Sequence, residues 1–239
     1  MDVKSVKTSI KKFLKKHKQA FYTISSNQSK ALELAVTVGV SEHYRSNGYT
    51  ISVVNPKKSP GTFVVKTSTR GHPWNFTHLK FERDGAVYEA HMNLIARSAH
   101  DVGKYCVDLG ITKVGSVPCT AKKNAWEAAN NKDLITFAEV KKLVVYPMLL
   151  AQFVGIVHEI KPCFISGKTP RGFLREDHLF PALASLGNFS GNSSKIVEAY
   201  KGRNLRITIA ENFDLRLAYV RGQHQKSPFV DEEHLDDEI

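Results

Sequence analysis

Residues 134–141 read LITFAEVK, seven residues of a buried strand ending on Glu139 and Val140, with Lys141 just beyond. A short apolar run with β-branched and aromatic members fits a strand covered on both faces. A carboxylate in such a run is costly unless it is paired, hydrogen-bonded or bound to metal. Strand side chains alternate, so Glu139 and Lys141 share one face.

Upstream, YCVDLGI (Tyr105 to Ile111) repeats the pattern, with Asp108 set among apolar neighbours. If the two strands are neighbours, Asp108, Glu139 and Lys141 converge. Downstream, Pro147 stands at a good first helical position and the apolar run Met148 to Ile160 continues it. Glu159-Ile160-Lys161 repeats the Glu-x-Lys spacing. It lies at a helix end, where residues two apart point in different directions.

Further out, Ser25-Ser26-Asn27 offers cap residues for a helix to about Asn47, with Gly48 as its stop. Strands are expected at Tyr49 to Val54, Phe63 to Lys66 and Phe76 to Glu82. Asp84-Gly85 then turns the chain into a return strand, Ala86 to Ala96. On that strand Tyr88, Ala90, Met92 and Leu94 are expected to face the core, and Glu89, His91 and Asn93 the other side. Thr120 to Asn130 reads as a helix, Pro162 to Ile165 as a strand and Ile196 to Lys201 as a helix. Strands follow at Leu205 to Ala210 and Leu215 to Val220, and Gly187 to Ser194 reads as the most flexible internal stretch. The fold class is α/β (α+β), a mixed β-sheet flanked by helices with an N-terminal helical extension. Residues 1–48 form a basic helical segment, 49–222 the main domain and 223–239 an acidic tail.

Asp108, then Glu139-Val140-Lys141, then a helix, resembles the PD-(D/E)XK nuclease superfamily, especially its restriction-endonuclease-like branch. The likeness spans roughly Phe76 to Ile165. It implies a restriction-endonuclease-like core in which Asp108 and Glu139 hold Mg²⁺ or Mn²⁺ and Lys141 is the catalytic lysine. It also implies an upstream acidic ligand, for which Glu89 stands, and a polar residue on the following helix, for which Gln152 stands. Val107 takes the place of the family's proline, and the gap from Asp108 to Glu139 is long. The implied role is a DNA endonuclease of the restriction or anti-phage defence type, acting as a homodimer or within a larger assembly. The rival is a nuclease-like binding or scaffold protein that does not cut, with Asp108 and Glu139 as ion-pair partners of lysines.

Charge agrees with a polyanionic partner. The formal net charge is +11, although the stretch Asp231 to Ile239 holds six acidic side chains and no Lys or Arg. Cations released from a nucleic-acid backbone favour binding to such a surface, and DNA is placed ahead of RNA. Arg97, His100 and Lys104 before the Asp108 strand, Lys142 beside Lys141, and Lys168 and Arg171 in a later loop are the expected phosphate contacts. Trp74 and Trp126 are offered to bases or to packing. The N-terminal segment Val3 to Ile24 reads as a basic amphipathic helix, suited to phosphates, to an anionic membrane surface, or to a solvated face.

Cys106, Cys119 and Cys163 form no CxxC pair and no HExxH occurs, which argues against a disulfide framework and a zinc site. No apolar run reaches the ~18–20 residues of a membrane span, and no secretory signal is seen. The expected location is the cytoplasm.

Overall fold

Asn27 caps the first described helix, α1 (Gln28–Ser46), its Oδ1 accepting from the backbone N–H groups of Ser29 and Lys30 at 3.1 and 3.3 Å. The helix stops where Gly48 takes φ +82°, a conformation glycine adopts without penalty. The computed structural model describes residues 27–117 and 128–213, together with Lys15.

After α1 the chain lays down β1 (Thr50–Val54), a single 3₁₀ turn (Pro73–Asn75), β2 (His78–Arg83), β3 (Ala86–Arg97), β4 (Lys104–Lys113) and β5 (Leu134–Lys141). There follow α2 (Pro147–Ile160), α3 (Pro162–Ile165), β6 (Ala182–Ser185), α4 (Ser193–Gly202) and β7 (Thr208–Ala210). The seven strands form one mixed sheet in chain order. β1 to β5 are antiparallel, while β5, β6 and β7 are parallel. The change of sense follows from the connections. Asp84 and Gly85, with φ of 51° and 80°, make the tight β2–β3 turn, whereas β5 reaches β6 only through α2 and α3.

Helices cover both faces. Leu32, Val36, Val40 and Tyr44 of α1 pack on Phe81, Tyr88, Met92, Leu109, Ile111 and Val140. Leu149, Leu150, Phe153, Val157 and Ile160 of α2 pack with Leu94, Val107, Phe137 and Leu183. Neighbouring residues of β6 divide accordingly, Ala182 and Ala184 to the first core and Leu183 to the second. α1 thereby completes the first core.

Several expectations are corrected. Pro162–Ile165 is a helical turn, not a strand, with proline at its first position and Phe164 buried. Phe63 to Lys66 stays outside the sheet, held by Thr77, whose Oγ1 accepts from Val64 N at 2.7 Å. Of Leu205 to Ala210 only Thr208–Ala210 pairs as a strand. Within residues 187–194, Asn188 and Ser190 exchange backbone bonds with Val145 at 2.9 Å each. The helix expected from Thr120 falls largely on residues 118–127, outside the described residues. Ala129, at its expected end, instead bridges in parallel to Ala96. The N-terminal basic helix (Lys15 apart), Cys119, Trp126, the strand Leu215 to Val220 and the acidic tail also lie outside them. Among the described residues, no helix is long and apolar enough to cross a membrane.

Candidate active site

β4 and β5 are neighbours, with Leu109 opposite Ala138 and Gly110 opposite Phe137. One step further along this register, Asp108 faces Glu139. The regular ladder stops there, and the Asp108 carboxylate takes over one of its partners, Oδ2 accepting from Val140 N at 2.8 Å. Lys141 Nζ donates to Glu139 Oε2 at 2.8 Å and to Asp108 Oδ2 at 3.4 Å. The three residues expected to converge do so.

The strands reach this point through a local reversal. Asn93, across from Asp108 on β3, has φ +49°. Asparagine tolerates this left-handed conformation better than most residues. Met92 and Leu109 lie in the α1-side core, whereas Leu94 and Val107 lie in the α2-side core. The expectation that Leu94 shares a face with Tyr88, Ala90 and Met92 therefore fails at Asn93, where alternation is interrupted.

Burial shapes the charges. Glu139 is 5% exposed, and its Oε1 is buried with no hydrogen-bond partner. Burial, with repulsion from Asp108, pushes its carboxyl up to about 7 against the opposing pull of Lys141, and Glu33 adds to the rise. Burial alone would lower the Lys141 amine, but Glu139 and Asp108 outweigh it and hold the amine above its usual range. Cys106 is a partly buried thiol, as expected, and burial raises it to about 11, with Lys66 opposing and the two carboxylates adding.

Sequence reading missed Glu33, Asn93 and Lys66. Glu33 projects from α1, is buried, and pairs with Lys30 at 2.6 Å. Asn93 Nδ2 donates to Glu33 Oε2 at 3.2 Å and to Lys66 O at 3.0 Å, while the buried Lys66 amine donates to Asn93 O. This polar bridge connects α1 to the strand beside Asp108. A signal was present: Glu33, Thr37 and Ser41 recur every fourth residue, which lays one polar stripe along a helix otherwise rich in apolar residues.

Glu89, expected as the upstream ligand, is elsewhere. It pairs with Thr112, four residues from Asp108 along β4, or roughly 13 Å. Its carboxylate accepts from Gly115 N at 3.2 Å and meets His91 Nε2 at 3.5 Å. His91 stacks on His78 at 4.6 Å, and Trp74 packs edge-on against both. Gln152 is exposed on α2, lining a shallow hollow with Tyr105 and Glu159, and is not brought to the carboxylates. The second Glu-x-Lys set diverges. Glu159 turns to Ser98 and Tyr105, while Lys161 donates to the carbonyls of Asn131 and Leu134.

Arg97 pairs with Lys104 where β3 turns into β4, at the end of the sheet nearer Asp108. His100 stacks on His158 at 4.7 Å beside this turn, and Lys142 is exposed next to Lys141. Arg97 and Lys104 are thus four residues along β4 from Asp108, as far as Glu89 is on the other side, and of these four only Lys142 is next to the centre in sequence. Arg171 instead gathers with Lys113 and Leu134, at the opposite end of β4 and β5, and Lys168 packs its backbone against Cys163.

The residues present fit a hard divalent cation. Magnesium keeps several waters and is held through one or two carboxylates, which Asp108 and Glu139 supply, and the orphaned Glu139 Oε1 is an oxygen without a partner. Among the described residues no group of three His, Cys, Asp or Glu side chains is arranged to hold a metal by itself. Fold and site together define a class, a mixed α/β protein with a two-carboxylate, one-lysine centre where the β4–β5 ladder stops. Comparison with known proteins returned no matching family model, no curated relative and no similar solved structure.

Proposed function

We propose that this protein is a metal-dependent nuclease that hydrolyses phosphodiester bonds, with DNA as substrate, and that its core is of the restriction-endonuclease-like type. The observation carrying this reading is the meeting of Asp108 and Glu139 at the Lys141 amine, with one Glu139 oxygen buried and unpartnered. Asp108 and Glu139 would hold Mg²⁺ or Mn²⁺, which when bound polarises a phosphoryl oxygen and acidifies a coordinated water. Lys141, one-third exposed, would donate to a phosphate oxygen as charge builds there, or orient the attacking water. Asp108 is fixed by Val140 N, so its free oxygen is oriented before a ligand arrives. Lys142 beside Lys141, and Arg97 and Lys104 four residues further along β4 from Asp108, would supply positive charge for a nucleic-acid backbone running past the centre. The biological setting we propose, cytoplasmic restriction or defence with two copies for double-strand cutting, rests on the family resemblance alone.

The experiment is calorimetric titration of Mn²⁺ into the protein, paired with cleavage of DNA and of RNA. Binding at a site lost in Asp108→Ala, with metal-dependent cleavage, supports the reading. A second reading has its own observation: Lys141 already pairs with both carboxylates, as in a structural ion-pair cluster. Salt-sensitive DNA binding without Mn²⁺ binding would favour this non-cutting module.

A further inference from the structure

A second charged cluster lies at the other end of β4 and β5. Lys113 ends β4, Lys132 sits in the β4–β5 connection, Lys161 joins α2 to α3, and Arg171 lies in the loop before β6. All four line one cavity of about 190 Å³. Lys113 is five residues along β4 from Asp108, roughly 17 Å away, so the cavity is distinct from the carboxylate centre.

Its charge balance is one-sided. Glu176 is the single carboxylate in the lining, and its Oε2 is already engaged by Tyr88 Oη and by His178 Nε2 at 3.1 Å. Arg175 reaches Glu176 only at 4.0 Å, and Asp133 reaches Lys113 only at 3.8 Å. Lys132 and Arg171 form no ion pair among the described residues. Lys161 donates to the Asn131 and Leu134 carbonyls at 3.0 and 2.6 Å, which leaves one of its three N–H donors. Burial, with Lys113 adding, disfavours its charge. Cations gathered around a hollow repel one another, and that cost is offset when an anion occupies it.

We propose that this cavity binds a phosphate monoester. Its volume exceeds by several-fold the ~30 Å³ share of a water molecule, yet lies below the roughly 300–1,000 Å³ of pockets that enclose whole small ligands. It therefore takes an anionic terminus and leaves the rest of the ligand outside. The Arg171 guanidinium suits two-pronged recognition of phosphate, and the three lysines act as point charges around it. Two sources share this chemistry, the terminal phosphate of a nucleic-acid strand and free phosphate. The proposal stands apart from the nuclease reading, because it uses none of the carboxylate-centre residues and needs no cleavage.

The test is calorimetry on the full chain in EDTA. The probes are inorganic phosphate and a short single-stranded oligonucleotide carrying a 5′-phosphate, a 3′-phosphate or hydroxyl ends. The variants are Lys132→Gln/Arg171→Gln, both exposed and therefore neutral for folding, and Lys168→Gln, an exposed cation outside the cavity. Phosphate-dependent binding is expected in the wild type and Lys168→Gln, weakened at least tenfold in the double variant. Tighter binding of a phosphorylated oligonucleotide than of free phosphate assigns the site to strand ends; equal binding assigns it to the free anion. Absence of binding by every phosphate probe, or equal affinity in the double variant, overturns the proposal.

Discussion

Glu139 carries the strongest electrostatic tension in the site. Its carboxyl is raised from the usual 4.5 to about 7, by burial first and by Asp108 second. A carboxyl raised on folding binds its proton more tightly in the folded state. Its contribution to stability is therefore full below about pH 4.5 and is lost as pH rises through 7. Glu139→Gln, which keeps the shape without the charge, is expected to raise the melting temperature above wild type at pH 8 and to lose that advantage at pH 4. Thermal unfolding at the two pH values checks this. Equal effects at both would show that Glu139 is not strained by ionisation. Saturating Mg²⁺ should stabilise the wild type at pH 8 and leave the Gln variant nearly unchanged.

At the same scale, Asp108 and Glu139 were legible because a carboxylate inside an apolar strand stands out, and period two placed Lys141 beside Glu139. Glu89 was chosen as the upstream ligand because it precedes Asp108 in sequence, but register sets it opposite Thr112. Glu33 went unnoticed because a polar residue on a helix reads as surface. Its burial depends on Asn93 and Lys66, remote in sequence and brought together only by packing.

Among the elements, β4 and β5 must pair in register for Asp108 to meet Glu139. Gly110, two residues from Asp108, leaves room for the Leu94 side chain of β3 and, less tightly, for Leu134 of β5. A Cβ there would stand 2.5 Å from Leu94 Cδ2 and 3.3 Å from Leu134 Cδ1. Gly110→Ala is expected to destabilise by about 1–3 kcal/mol through overpacking, measured by urea unfolding. A loss below 0.5 kcal/mol, the ordinary range for surface changes, would mean that the strands have slack there. Gly187 makes the stricter contact, its Cβ position lying 2.6 Å from Val144 Cα and 2.7 Å from Leu143 O. Backbone cannot yield as a side chain can. Gly187→Ala should displace the segment after Lys141 and lower any activity of the centre along with stability.

The hairpin, α1 and α2 were readable from turn chemistry, caps and apolar runs. β6 was not, because Ala-Leu-Ala-Ser is short and carries small residues, yet it pairs in parallel beside Glu139 and Lys141. Pro162 to Ile165 illustrates the opposite error, since four apolar residues fit either period. The proline at its first position and the direct continuation from α2 decide for a helical turn.

For the molecule as a whole, a net charge of +11 favours long-range attraction to a polyanion, and the proposed function makes DNA that polyanion. Affinity for duplex DNA should fall steeply with salt. Each of Arg97→Ala, Lys104→Ala and Lys142→Ala should reduce the slope of log K against log salt by about 1. An unchanged slope in all three would place the DNA on another face. Lys168→Ala, away from the carboxylate end, is expected to leave the slope nearly unaltered.

Everything turns on whether the carboxylate–lysine centre does chemistry. Cleavage of a labelled DNA by the wild type, Asp108→Ala and Lys141→Ala, with Mg²⁺ or Mn²⁺ and then with EDTA, decides it. Metal-dependent cleavage by the wild type is expected, reduced by at least ~10²-fold in each variant and abolished by EDTA. Cleavage that persists undiminished in both variants, or no cleavage of any nucleic acid with either metal, would show that Asp108, Glu139 and Lys141 are not a nuclease centre.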